Sequence, residues 1–212
     1  MSNILIVPGL HNSGPYHWQS LWHQQYPHWQ RVTGQTWERA NLQSWSHRIA
    51  RVLQHNHEPV HIVAHSFGSL ASIAAAAQHP DKVASLFLVA PADPQRFHEP
   101  AALLEERLAF PSLVVASTND PWVRLSSAAY WADCWGSRLD PIGPAGHINT
   151  DSGHGPWPEG LERLQALQAA SDSLPLGPLD ETPQSRRGRH GALARLRHGT
   201  RSDGRLLDPR GG

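Results

Sequence analysis

"VHIVAHSFGSL" (residues 60–70) starts as an apolar run and breaks off at a serine set between His65 and Phe67, with Gly68 two places on. The run before the serine has the continuous β-branched character of a strand covered on both faces. The stretch after it, "LASIAAAAQ" (70–78), favours helix and stops before Pro80. Strand, one-residue turn and helix together describe a nucleophile elbow, in which a strained backbone lifts the serine hydroxyl above the sheet edge. Positions two before and two after must be small, because strand and helix pass close there. Ala64 and Gly68 meet that need, with alanine standing where glycine is usual.

Outward from the elbow, "NILIVP" (3–8), "VASLFLVA" (83–90) and "SLVVAS" (112–117) read as buried strands, and "QRVTGQ" (30–35) and "SRLDPI" (137–142) as weaker ones. Helices are expected over 42–56, where Leu42, Trp45, Ile49, Val52 and Leu53 recur at helical spacing, and over 66–79, 120–136 and 157–170. This alternation predicts an α/β fold, a three-layer sandwich around a mostly parallel sheet of about six strands with right-handed crossovers. Only about twenty residues separate 83–90 from 112–117, which leaves no room for a large lid.

Composition divides the chain near Ser171. Residues 1–170 are expected to form the folded domain, and 171–212, rich in Gly, Pro, Ser and Arg and without an aromatic residue, a disordered extension. The single cysteine, Cys134, excludes an internal disulfide and fits a reducing, cytoplasmic setting. The amino terminus has no basic leader, and no window approaches the ~20 apolar residues of a membrane span. A formal net charge of zero gives no reason to expect nucleic acid or a membrane as partner. Nine tryptophans are many, and five of them (Trp18, Trp22, Trp29, Trp37, Trp45) crowd one early stretch.

A serine hydroxyl is a poor nucleophile until a base takes its proton, and the base needs a third group to fix its tautomer. On a sheet of this kind the partners follow in the order serine, acid, histidine, each on a loop at a strand's carboxyl end. "SLVVASTNDPWV" places Asp120 just past a buried strand, and "DPIGPAGHINTDSG" places His147 just past the last one. Asp93, in "VAPADP", is the runner-up acid, better read as a loop cap; Asp133, Asp140 and Asp151 read as surface charges. Cys134 lacks a glycine-rich elbow and reads as a packed thiol, and His65 reads as packed beside the nucleophile. An oxyanion formed at the serine needs preorganised donors. The backbone N–H groups of Phe67 and of Leu10, in the loop "PGLHNSGPYHW", are the candidates. His11, Trp18 and Trp122 are candidates for the substrate pocket, with His154 a weaker one. No HExxH or paired Cys/His spacing occurs, so neither a metal nor a cofactor is expected.

At these motifs the chain resembles a known family, the small α/β-hydrolases grouped with retinoblastoma-binding protein 9 and the bacterial YdeN-like proteins. The likeness spans roughly residues 3–170 and is carried by "VPGL…HW", "AHSFGSLA", "NDPWV" and "GHINTDSGHGPWPEG". It implies that Ser66, Asp120 and His147 are nucleophile, acid and base, and that small carboxylic esters are cleaved through an acyl-serine. No protein partner is implied: the lone cysteine, in "WADCWGS", lacks the L-x-C-x-E pattern of a vertebrate relative. Two rivals stay open at this level. One is a non-catalytic binding protein on a hydrolase scaffold; the other is a peptidase or amidase using the same three side chains.

Overall fold

The computed structural model describes residues 3–97 and 107–173. Within these, the strands are β1 (Ile4–Val7), β2 (Gln30–Arg31), β3 (Val60–His65), β4 (Val83–Val89), β5 (Ser112–Ala116) and β6 (Arg138–Pro141). The helices are α1 (Trp18–Gln25), α2 (Leu42–His55), α3 (Phe67–Gln78), α4 (Leu125–Trp135) and α5 (Pro158–Asp172). The strands form one sheet in the order β2-β1-β3-β4-β5-β6, and every adjacent pair is parallel.

Period-two alternation sorts the strand side chains between two apolar layers. Leu5, Val7, Ile62, Ala64, Leu86, Leu88 and Val114 pack with residues of α2, α3 and α4. Ile4, Ile6, Val63, Phe87, Val89, Leu113 and Val115 pack on the opposite face with residues of α1 and α5. Both faces of the central strands are therefore sealed, which is why their sequences are apolar without interruption. Each Val, Leu or Ile side chain among them, fully withdrawn from water, stabilises the fold by about 1.5–3 kcal/mol before entropy is counted.

The chain leaves β1 towards β2 on one side and leaves β3 towards β4 on the other. The loops after β1 and β3 thus part at a topological switch point, where open α/β sheets form their binding crevice.

Five strands, β6 among them, and three helices lie where the sequence puts them; the departures are local. The strand expected over 30–35 keeps only Gln30 and Arg31 in the ladder, on the sheet's edge. The helix expected from residue 120 starts at Leu125, because the Asp120 carboxylate ties down the N–H groups of Trp122 and Val123 in a turn. Helix α1 has no counterpart in the pattern reading. Its buried residues are Trp18, Gln19, Ser20 and Trp22, so two polar side chains interrupt the apolar stripe that would have announced it. Helix α5 runs through Ser171 to Asp172; the extension expected beyond it lies, from residue 174, outside the described residues. So does 98–106, part of the short β4–β5 connection.

Candidate active site

Ser66 occupies the N-cap of α3 with φ 53° and ψ −126°. Serine at an N-cap ordinarily turns its hydroxyl onto the helix's first N–H groups, and here it makes no such bond. A non-glycine residue in this region costs on the order of 1–3 kcal/mol, which the surroundings must over-determine. They do so by close packing. A Cβ built on Gly68 would lie 2.4 Å from the Pro8 carbonyl oxygen and 2.8 Å from that of Val7, and one on Gly9 would lie 2.8 Å from the Ser66 Cβ. The elbow main chain is also held on β4: Ser66 N–H donates to the Val89 carbonyl at 3.0 Å, and the Ser66 carbonyl accepts from Ala92 N–H at 3.2 Å.

Released from capping, the Ser66 Oγ lies 3.0 Å from His147 Nε2. His147 Nδ1 lies 2.8 Å from Asp120 Oδ2. A carboxylate only accepts, so Nδ1 carries the ring proton and Nε2 is left to accept from the serine hydroxyl. The other Asp120 oxygen accepts from the N–H groups of Trp122 (2.8 Å) and Val123 (3.3 Å), and the side chain is only 3 % exposed. The structure thus brings Ser66, His147 and Asp120, 81 and 27 residues apart, into one hydrogen-bonded chain. Asp93 lies on the same side of the sheet, but its carboxylate caps Gln95 N–H at 3.1 Å.

A cavity of about 600 Å³ opens over Ser66. Leu10, His11, Phe97 and Trp122 line it with Ser66 and His147, each from the carboxyl end of a strand or the loop that follows. Among the described residues, neither the Leu10 nor the Phe67 N–H donates a backbone hydrogen bond. Of the three pocket candidates, His11 and Trp122 are at the cavity. Trp18 is not: it is fully buried beneath it, with its indole N–H on the Ile148 carbonyl. A side chain flanked by His17, Trp22, His65 and Trp157 has no face left for a substrate. His154 is likewise elsewhere, against Trp157 and a separate groove.

The pattern reading missed Arg96, whose guanidinium lies 5.5 Å over the Trp122 ring and donates to the Trp122 carbonyl at 2.6 Å. It also missed His17, which lines the cavity although almost fully buried. His17 Nδ1 accepts from Gln19 N–H, so Nε2 carries the proton, and it has no partner. Burial, reinforced by the positive Arg31, pushes the His17 pKa down to about 3. Burial likewise holds His65 well below the usual histidine range, with His17 and His147 adding to the effect. Both imidazoles beside His147 are thus kept uncharged. Among the described residues, no group of three His, Cys, Asp or Glu side chains is placed to hold a metal ion.

A strained serine at a strand–helix turn, on a parallel sheet with helices on both faces, defines the α/β-hydrolase class. Residues 4–166 match the family model described as "Serine hydrolase", and the chain belongs to that family. Among solved structures it is similar to a YdeN-like hydrolase of Pectobacterium atrosepticum. The two are 40 % identical over 81 % of this chain and 92 % of that one, with a TM-score of 0.77. It is also similar in fold to the ydeN gene product of B. subtilis (18 % identity, 80 % and 100 % covered, TM-score 0.66). A hydrolase from Oleispira antarctica shares the fold at 13 % identity (78 % and 91 % covered, TM-score 0.62). No curated protein matches. The YdeN-like side of the resemblance is thereby supported; nothing in the comparisons singles out the retinoblastoma-binding protein side.

Proposed function

We propose that this serine hydrolase cleaves small carboxylic esters through an acyl-serine, with Ser66 as nucleophile, His147 as base and Asp120 as the group that orients it. The observation that carries the reading is the 3.0 Å contact between the Ser66 hydroxyl and a ring nitrogen whose partner nitrogen is committed to a carboxylate. Ser66 Oγ attacks the ester carbonyl carbon as its proton passes to His147 Nε2. The oxyanion is met by the N–H groups of Leu10 and Phe67. Collapse breaks the bond to the alcohol oxygen, which leaves with the proton from Nε2. Water then gives a proton to Nε2 and attacks the acyl carbon; the carboxylic acid departs and Ser66 regains its hydrogen.

The substrate class follows from size and lining. About 600 Å³ lies within the range of small-molecule sites. Leu10, Phe97, Trp122 and Val123 give it an apolar wall for a short or medium acyl group. The partner we propose is therefore a small ester rather than a nucleic acid, a membrane or a protein, and no cofactor enters the scheme. No helix among the described residues is long and apolar enough to cross a membrane. The lone Cys134 suits a cytoplasmic location.

The test is hydrolysis of p-nitrophenyl acetate and butyrate by the wild type and by Ser66→Ala. The substitution should lower kcat by a factor on the order of 10⁴–10⁶ without changing the fold, as in other serine triads. Wild-type turnover in Ser66→Ala excludes the reading. Hydrolysis of matched amides at rates above the esters would turn it towards an amidase. A folded wild type inert to both would leave a binding protein.

A further inference from the structure

The loop that carries His147, from β6 to α5, has no regular structure beyond a 3-10 turn at Thr150–Ser152. It is also strained, with Ile148 at φ 48° and Trp157 at φ 45°. A β-branched residue in the left-handed region is an outlier that relaxes unless it is held. Yet catalysis by Ser66 needs the imidazole next to Ile148 to stay put.

Polar groups from elsewhere hold the main chain from both sides. The N–H groups of Ala145 and Gly146 donate to Ser117 Oγ (2.9 Å) and Asn119 Oδ1 (2.7 Å), both on the loop after β5. The carbonyls of His147 and Ile148 accept from His65 Nε2 and Trp18 Nε1, each at 2.9 Å. Both donors are buried rings. His17 packs against both, its ring centre 5.2 Å from Trp18 and 4.9 Å from His65. A rigid ring with two torsions fixes its N–H direction at little entropic cost. Trp22, one turn further along α1, makes the same kind of bond, 2.8 Å to the Pro156 carbonyl, at the far end of the loop.

We propose that Trp18 is a positioning residue for the base: together with His65 it grips two consecutive carbonyls at 147 and 148 and so sets the reach of the imidazole to Ser66. The crowd of early tryptophans then has a division of labour. Trp18 locates the base, and Trp22 anchors the loop's exit. This inference rests on the triad reading above.

The experiment compares Trp18→Phe with Trp22→Phe, since each removes one buried indole N–H and leaves an aromatic ring. Both should lower Tm. Only Trp18→Phe should lower kcat on p-nitrophenyl butyrate, by roughly 10–100-fold with KM unchanged, as small misplacements of reacting groups do. The low-field proton resonance of the His147 Nδ1–H should shift or broaden in Trp18→Phe and stay in Trp22→Phe. His65→Gln, which keeps a side-chain N–H donor, should retain kcat better than His65→Leu. A folded Trp18→Phe with wild-type kcat and resonance, or a Trp22→Phe that loses as much kcat, overturns the proposal. Should Trp18→Phe fail to fold, equal kcat in the two His65 variants overturns it instead. An inactive wild type that fluorophosphonate does not label sinks the triad reading and this inference together. An active, labelled wild type beside an equally active Trp18→Phe sinks this inference alone.

Discussion

The two faces of the sheet are covered in different ways. On one, α2, α3 and α4 meet the strands through apolar side chains, the alanines of α3 sharing a layer with Leu86, Leu88 and Val114. Two of the buried hydroxyls there close on their own helices, Ser46 on the Gln43 carbonyl and Ser72 on that of Gly68, while the fully buried Ser69 hydroxyl has no partner. On the other face, α1 sends polar bonds across to its neighbours. Gln19 donates to the carbonyls of Val7 and Val63, at or near the ends of β1 and β3, and Trp18 and Trp22 donate to the loop that carries His147. Ser20 reaches the Ser13 carbonyl, and Arg31 braces the same loop through Asn12 Oδ1 and the Ser13 carbonyl. Burial lowers the Arg31 pKa, and no acid pairs with it among the described residues. Both faces are apolar cores, and the α1 side adds polar bonds that reach the loops around Ser66.

That division can be broken in order of expected effect. Asp120→Asn should cost most on the catalytic side. The amide keeps the shape but favours the wrong imidazole tautomer, and kcat should fall by about 10⁴ with Tm little changed. On the face covered by α2, α3 and α4, Leu88→Ala should remove about 2–5 kcal/mol of stability by leaving a cavity, read as a lower urea midpoint. The kcat of its folded fraction should match wild type; a large kcat loss there would blur the two faces. Arg31→Met should lower kcat by roughly 10-fold through a loosened Leu10 loop, with a smaller loss of stability than Leu88→Ala.

The smallest effect concerns pH. His17 in the fold has a pKa lowered to about 3, below its unfolded value of about 6.5. Below the unfolded value the denatured chain binds a proton that the native one refuses. The stability from this site is therefore complete above pH ~6.5 and drains away as pH falls towards ~3, at up to about 1.4 kcal/mol per unit. His65, shifted the same way by burial, adds to the slope. His17→Asn, which keeps a cap for Gln19 N–H, should show a shallower fall of the urea midpoint between pH 7 and 4.5; an identical slope would remove His17 from the account.

How much was legible follows the same division. β1, β3, β4 and β5 are readable because both faces are apolar, and α2 because Leu42, Trp45, Ile49 and Leu53 all point to one layer. Ser66, Asp120 and His147 could be singled out because a parallel sheet delivers every strand end to the same rim. Helix α1 could not, since its buried Gln19 and Ser20 look like surface residues until the carbonyls they satisfy are seen. Trp18 was misplaced for a related reason. An indole reads as apolar wall, whereas here its N–H is the useful part. Arg96 was invisible because its partner, Trp122, is 26 residues away and the contact exists only in three dimensions.

The most direct measurement is the mass of the intact protein, and of its peptides, after exposure to a fluorophosphonate. One adduct is expected, on Ser66, formed quickly by the wild type and lost in His147→Ala. A folded wild type that stays unmodified, or one that carries the adduct on another serine, would contradict it.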